Sequence, residues 1–114
     1  MKVVRSSDVA KSQVNVEGAR GVEIRVLIGK QDGAKNFVMR MFEVRPGGHT
    51  PLHEHQHEHE VFVVDGQGAV VCEGQEQAIE KGFAVFVPGG QKHCFKNTGK
   101  SVLSFLCLVP ADAG

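Results

Sequence analysis

Five of the chain's six histidines lie between Gly47 and Glu60, in the run Gly47-Gly48-His49-Thr50-Pro51-Leu52-His53-Glu54-His55-Gln56-His57-Glu58-His59-Glu60. The sixth, His93, sits in a second stretch punctuated by glycine and proline. Neutral imidazole offers a lone pair near physiological pH and is the commonest protein metal ligand, so this density points first to a metal centre. Along an extended strand side chains alternate faces at a rise of about 3.3 Å per residue, which puts His53 and His55 on one face with Cα atoms roughly 6.6 Å apart. Two rings can close that gap onto one ion at metal–nitrogen distances of about 2.1 Å. His59 lies too far along a straight strand to join them. The chain is therefore expected to turn or bulge through Gln56-His57-Glu58 and bring His59 back opposite the first pair as a cross-strand neighbour. His49 and His57 share the parity of these residues and are read either as solvated loop histidines or as partners that orient a ligand ring.

The segment His53-Glu54-His55-Gln56-His57 also spells H-E-x-x-H, the helical signature of zinc proteases. That chemistry needs a helix. Pro46, Gly47, Gly48 and Pro51 upstream and the β-branched, aromatic run Val61-Phe62-Val63-Val64 downstream both oppose one, so the motif is rejected.

A chain of 114 residues supports one modest core and is read as a single domain over 1–114, with an N-terminal arm over 1–20 and the main body over 21–110. Thirteen Lys and Arg balance thirteen Asp and Glu, with no basic stripe for nucleic acid and no acidic tail. The first residues turn polar too soon for a signal peptide and no apolar run reaches membrane-spanning length, so no membrane partner is expected and the cytoplasm is the default location. Cys72, Cys94 and Cys107 are odd in number and widely spaced, and are read as reduced thiols. Tyrosine and tryptophan are absent, which removes a tyrosine acid or radical from the available chemistry.

The elements that must position the histidines read as strands. Residues 21–29 and 37–44 alternate well, the second stopped by Pro46-Gly47-Gly48. Val61–Val64 and Ala69–Cys72 flank the loop Asp65-Gly66-Gln67-Gly68, a strong hairpin signal. Gln77–Glu80 is a weak strand, and 83–87, 93–97 and 101–109 complete the set. No helix, repeat or linker stands out. Short strands with regular turn signals indicate an all-β sandwich or closed barrel.

With these residues in place, the sequence resembles the cupins, small β-barrel proteins with a metal held in the barrel mouth. Their first motif, G-x5-H-x-H-x(3,4)-E-x6-G, is matched by Gly47, His53, His55 and Gly66. The second, G-x5-P-x-G-x2-H-x3-N, is matched by Gly82, Pro88, Gly90, His93 and Asn97. Where the family usually places glutamate, two registers are open, His59 and Glu60. Only His59 keeps the spacing to Gly66, and a hairpin loop there should fix the register before it, which favours His53, His55, His59 and His93 over a set containing Glu60. The phrases Arg25–Gly29, Asn36–Arg40, Glu58-His59-Glu60 and Phe105–Leu108 further resemble small four-histidine manganese cupins of thermophilic bacteria. The resemblance implies a double-stranded β-helix barrel (the cupin jelly roll), a homodimer, and an octahedral manganese with two neighbouring open positions. It also implies kinship with metal-dependent dioxygenases.

Four neutral imidazoles leave the ion's charge uncompensated, so an anion such as a peroxide, an enolate or a carboxylate is favoured at the open positions. By affinity, imidazole suits iron, copper, nickel or zinc; one divalent transition metal is expected, and manganese comes only from the resemblance. Parity puts His93 with Phe95, and Leu103 with Phe105 and Cys107. The resemblance makes Phe95, Phe105 and Cys107 walls of a substrate pocket, against plain core packing for the rings and an inert buried thiol for Cys107. Arg40, in an otherwise apolar strand, is read as an anion clamp or as half of a surface or interface ion pair. The leading function is a metal-dependent oxidoreductase of dioxygenase or peroxide-dependent type acting on a small organic substrate. The alternatives are a metal-dependent isomerase or lyase and a non-enzymatic binding module for a metal or small molecule.

Overall fold

The computed structural model describes residues 1–113. Nine strands follow one another: β1 (Ser12–Gln13), β2 (Arg20–Ile28), β3 (Phe37–His49), β4 (His59–Asp65), β5 (Gln67–Cys72), β6 (Gln75–Glu80), β7 (Ala84–Val87), β8 (His93–Asn97) and β9 (Leu103–Pro110). The only helical turns among the described residues are three short 3-10 segments. Every pairing is antiparallel, in the order β6-β5-β8-β3-β9-β4-β7, with β2 on β3 and β1 on β2. This is the jelly-roll arrangement expected from the motifs. No described helix is long and apolar enough to cross a membrane.

Strand alternation builds the core. On β9, Leu103, Phe105, Cys107 and Val109 are buried and the residues between them are not; on β4, His59, Val61 and Val63 turn inward while Glu60 and Phe62 are exposed. Phe105 lies at the centre, its ring 4.8 Å from that of Phe95 and 5.4 Å from that of Phe42. Truncating such a side chain to alanine typically costs about 3–5 kcal/mol. The Asn97 amide, also buried, donates to the carbonyls of Val44 and Ser101 at 2.7 and 2.8 Å. It ties the end of β8 to β3, which gives the last residue of the second motif a structural purpose.

Two expectations about the strands fail for the same reason. Val61–Val64 and Ala69–Cys72 do not form a hairpin: β4 pairs with β7 and β9, and β5 with β6 and β8. The glycines between them serve close approach. A methyl group on Gly66 would collide with the Val102 carbonyl, and one on Gly68 with that of Lys96, so the loop is a corner at which the chain changes neighbours. Likewise, Pro46-Gly47-Gly48 does not stop the second strand. β3 runs on to His49 through a register shift against β2, with Gly47 at φ +79° and Gly48 tight against the Arg20 carbonyl. That extension carries β3 across to β8, where His49 pairs with Lys96.

Candidate metal centre

The histidine segment approaches β8 directly after Thr50. Its hydroxyl accepts the Phe95 backbone N–H at 2.8 Å, and His53 and His93 exchange backbone N–H···O bonds of 3.1 and 3.0 Å. The chain then bends at Gln56 and His57 and enters β4 at His59. The bend is held from below by the Pro88-Gly89-Gly90 corner: Gly90 N–H donates to the His55 carbonyl at 2.6 Å, and a methyl group on Gly89 would collide with the Gln56 carbonyl. A glycine is needed there because two backbones touch.

The expected turn through Gln56-His57-Glu58 is therefore present, but the cross-strand partner differs. His53 bridges to His93, and His59 pairs with Val87 on β7. The rings still gather. His53 lies 4.2 Å from His55 and 5.7 Å from His93 between ring centroids, and His55 lies 4.7 Å from His59 and 5.3 Å from His93. His59 and His93 are 5.0 Å apart. Glu60, one residue past His59, is exposed and points to the opposite face of β4.

The donor atoms of His53, His55 and His93 lie within 4.8 Å of one another, near enough to share one ion, and His59 joins the set through His55. With metal–nitrogen bonds of about 2.1 Å, neighbouring ligand nitrogens of an octahedron lie roughly 3.0 Å apart; the Nε2 atoms of His55 and His59 are 3.2 Å apart. The His93 Nδ1 lies 2.9 Å from the Gln91 carbonyl, to which it can only donate, so its Nε2 keeps the lone pair. His59 Nδ1 is 3.1 Å from the Cys107 sulfur, which itself accepts the Arg40 guanidinium at 3.3 Å. Burial, and then the neighbouring rings and Arg40, lower the His55 pKa to about 4 and that of His59 to about 3. Burial also lowers His53, with His93 and His57 adding to it. These three imidazoles are neutral at pH 7, the state a metal requires.

A cavity of about 370 Å³ opens beside the rings, and Arg40, Phe95, Phe105 and Cys107 all line it. No ion pair among the described residues involves Arg40, which corrects the surface-pair reading. Its guanidinium sits 5.2 Å over the Phe42 ring, and its buried Nε has no hydrogen-bond partner. Burial pushes the Cys107 thiol up, with Arg40 opposing.

His49 is outside the cavity at the end of β3, whereas His57 lines it, its ring stacked on that of His55. Sequence reasoning passed over Val14, Val16, Phe42 and Ala113, which also line the cavity. Phe42 shares parity with Arg40 and could have been found that way; the N-terminal arm and the C-terminal turn carry no such signal.

The cupin-domain family matches residues 40–109. The chain is 32% identical over 113 residues to the oxalate-binding protein of Thermotoga maritima, covering 94% of this chain and 92% of that one. It is 38% identical over 74 residues to the 1-methylthio-D-xylulose 5-phosphate methylsulfurylase of Rhodospirillum rubrum, of whose length it spans about half, 47%. Among solved structures, the polyketide cyclase RemF of Streptomyces resistomycificus superposes with a TM-score of 0.91 at 37% identity, covering 97% of this chain and 80% of that one.

Proposed function

Because the chain belongs to the cupin-domain family, we propose that it is a metal-dependent oxidoreductase that uses dioxygen or peroxide to oxidise a small organic substrate held in the barrel mouth. His53, His55, His59 and His93 would hold the divalent ion; manganese is favoured by the resemblance, and the imidazole set equally suits iron, nickel, copper or zinc. The observation that carries this reading is the lining of the cavity. Neutral histidines stand at one side of an otherwise largely apolar chamber that no Asp, Glu, Lys or Tyr lines, which leaves His57 as the one imidazole outside the four-ring set able to move a proton there. When bound, the metal would supply Lewis acidity and, if redox-active, electron transfer.

The chain's own residues supply the rest. Phe95, Phe105 and Phe42 give flat apolar walls to an organic ring or chain, and exclude water from the reacting centre. Arg40 is the one charged side chain of the lining, positioned to draw in an anionic or strongly polarised group. Gln91 and Cys107 hold the His93 and His59 rings in orientation.

A second reading, non-redox Lewis-acid catalysis on an enolisable substrate, is favoured by the 37% identity with a polyketide cyclase. One experiment separates the two. The protein is loaded with manganese, iron or zinc, and small phenolic, alkene and β-dicarbonyl compounds are incubated with it, with and without oxygen or peroxide. Oxidant consumption matched to product, with the redox-active ions only, is the expected result. Turnover with zinc under nitrogen would replace it with the cyclase or isomerase reading. Tight metal and ligand binding without turnover would leave a binding module.

The resemblance also leads us to propose a homodimer, to which exposed Phe62 and Phe86 on the adjacent strands β4 and β7 offer an apolar face.

A further inference from the structure

His57 has no part in the four-ring set, yet the bend at Gln56 and His57 delivers its ring into the same cluster. It lies 4.5 Å from the ring of His55 and 5.0 Å from that of His59. The ligand nitrogens of His55, His57 and His59 fall within 4.8 Å of one another, as do those of His53, His55 and His93. Hydrogen bonds to ring nitrogens among the described residues fall on His49, His55, His59 and His93, and none on His57. Its lone pair is uncommitted, and it faces the cavity.

We infer that the histidine cluster gives a divalent cation two overlapping seats, the four-ring set and a second one made by His55, His57 and His59. The inference rests on the proposed metal role of the cluster and adds a ligand to it. Both seats use His55 and His59, so one ion at a time is held.

Ring orientation ranks them. Rings that radiate from a common ion meet edge to face, as His53 meets His55 at 63°, His53 meets His93 at 64° and His55 meets His93 at 71°. The second trio is nearly parallel throughout, at 10°, 24° and 29°, and its 24° pair, His55 with His59, is the one pair the two sets share. Turning a histidine ring about its last torsion costs little, because that torsion is broad. The second seat must nevertheless be assembled from all three rings on binding, whereas in the first only the shared His55–His59 pair is left to turn, so the second is the weaker. Zinc, cobalt(II) and copper(II), which accept three imidazoles and a further small ligand, are the ions that fit it. Its consequence is a metal centre that keeps its ion when a ligand at the exposed edge, His53, lets go.

Zinc affinity, measured by competition with a chromophoric chelator, tests this in four proteins: the native chain, His53→Ala, His57→Ala and the double variant. His53 is exposed and His57 half-buried, so neither change disturbs the core. His57→Ala should weaken zinc by less than about 3-fold with His53 present, and by about 10-fold or more with His53 gone, a coupling that independent residues do not show. Equal effects in the two backgrounds would overturn the second seat. So would zinc binding lost altogether in His53→Ala with His57 intact. In either case one-to-one zinc binding by the native chain would leave the proposed function standing, whereas a native chain that binds no divalent ion would remove both.

Discussion

His59 and His93 stand on laddered strands, while His53, His55 and His57 ride a segment tied down at a few points. His59 pairs with β7 at the inward end of β4, and His93 pairs with β5 through Cys72. Both are buried. By contrast, His53, exposed, is held by its bridge to His93, and the bend beyond it by the Gly89-Gly90 corner. The difference teaches where the centre's geometry comes from. The barrel fixes two rings in place, and the loop supplies the others with enough freedom to close on an ion or exchange it. Elements with few backbone bonds open most readily, which is where adaptability is found in folded proteins.

The largest expected effect separates neighbours on one strand. His59→Ala removes an inward ring fixed by the barrel and should weaken metal binding by about 100-fold or more, beyond what loss of a supporting partner costs. Glu60→Ala, on the outer face, should change it less than about 3-fold. Metal content after dialysis against a weak chelator reads both, and the reverse result would move the ligand to Glu60.

Two glycines test the division between barrel and loop. Gly89→Ala should push the Gln56 carbonyl away and displace the loop, lowering metal affinity about 10-fold with a small change in melting temperature. Gly68→Ala should do the opposite: overpacking against the Lys96 carbonyl typically costs about 1–3 kcal/mol, hence roughly 5–15 °C in Tm, with metal affinity retained in the cold. Equal losses of affinity would show that loop and barrel move as one.

The remaining prediction concerns the metal-free protein's response to acid. In the unfolded chain these imidazoles titrate near the ordinary 6.5, but in the fold His55 holds to about 4 and His59 to about 3. Below pH 6.5 the unfolded chain therefore takes up protons that the fold refuses, so stability should fall as pH drops from about 6.5 towards 3 and level off above 6.5. A Tm that rises on acidification over that window would contradict the burial of these rings.

Much of the centre was legible before the fold. H-x-H spacing, the glycine and proline punctuation and the inward parity of His93, Phe95, Phe105 and Cys107 are local properties, carried by a strand's two-residue period wherever the strand ends up. The strand that pairs with each segment was not legible. A Gly-rich loop between two apolar runs looks the same whether the runs zip together or part company. The choice at Gly66 and Gly68 was made by the carbonyls of Val102, just before β9, and Lys96 on β8, both far along the chain. Arg40 shows the same limit: its charge and strand were evident, but its place between Phe42 and Cys107 depends on β9 lying alongside β3.

The sequence by itself determined that imidazoles would be concentrated in one segment between strands, and the spacing to Gly66 favoured His59 over Glu60. Only the tertiary structure decided that His93 would meet His53 backbone to backbone, that the bend at Gln56 would be seated on Gly89, and that His57 would fall in among the other rings. Those outcomes depend on contacts between residues remote in the chain, and a local pattern carries no information about how distant segments are brought together.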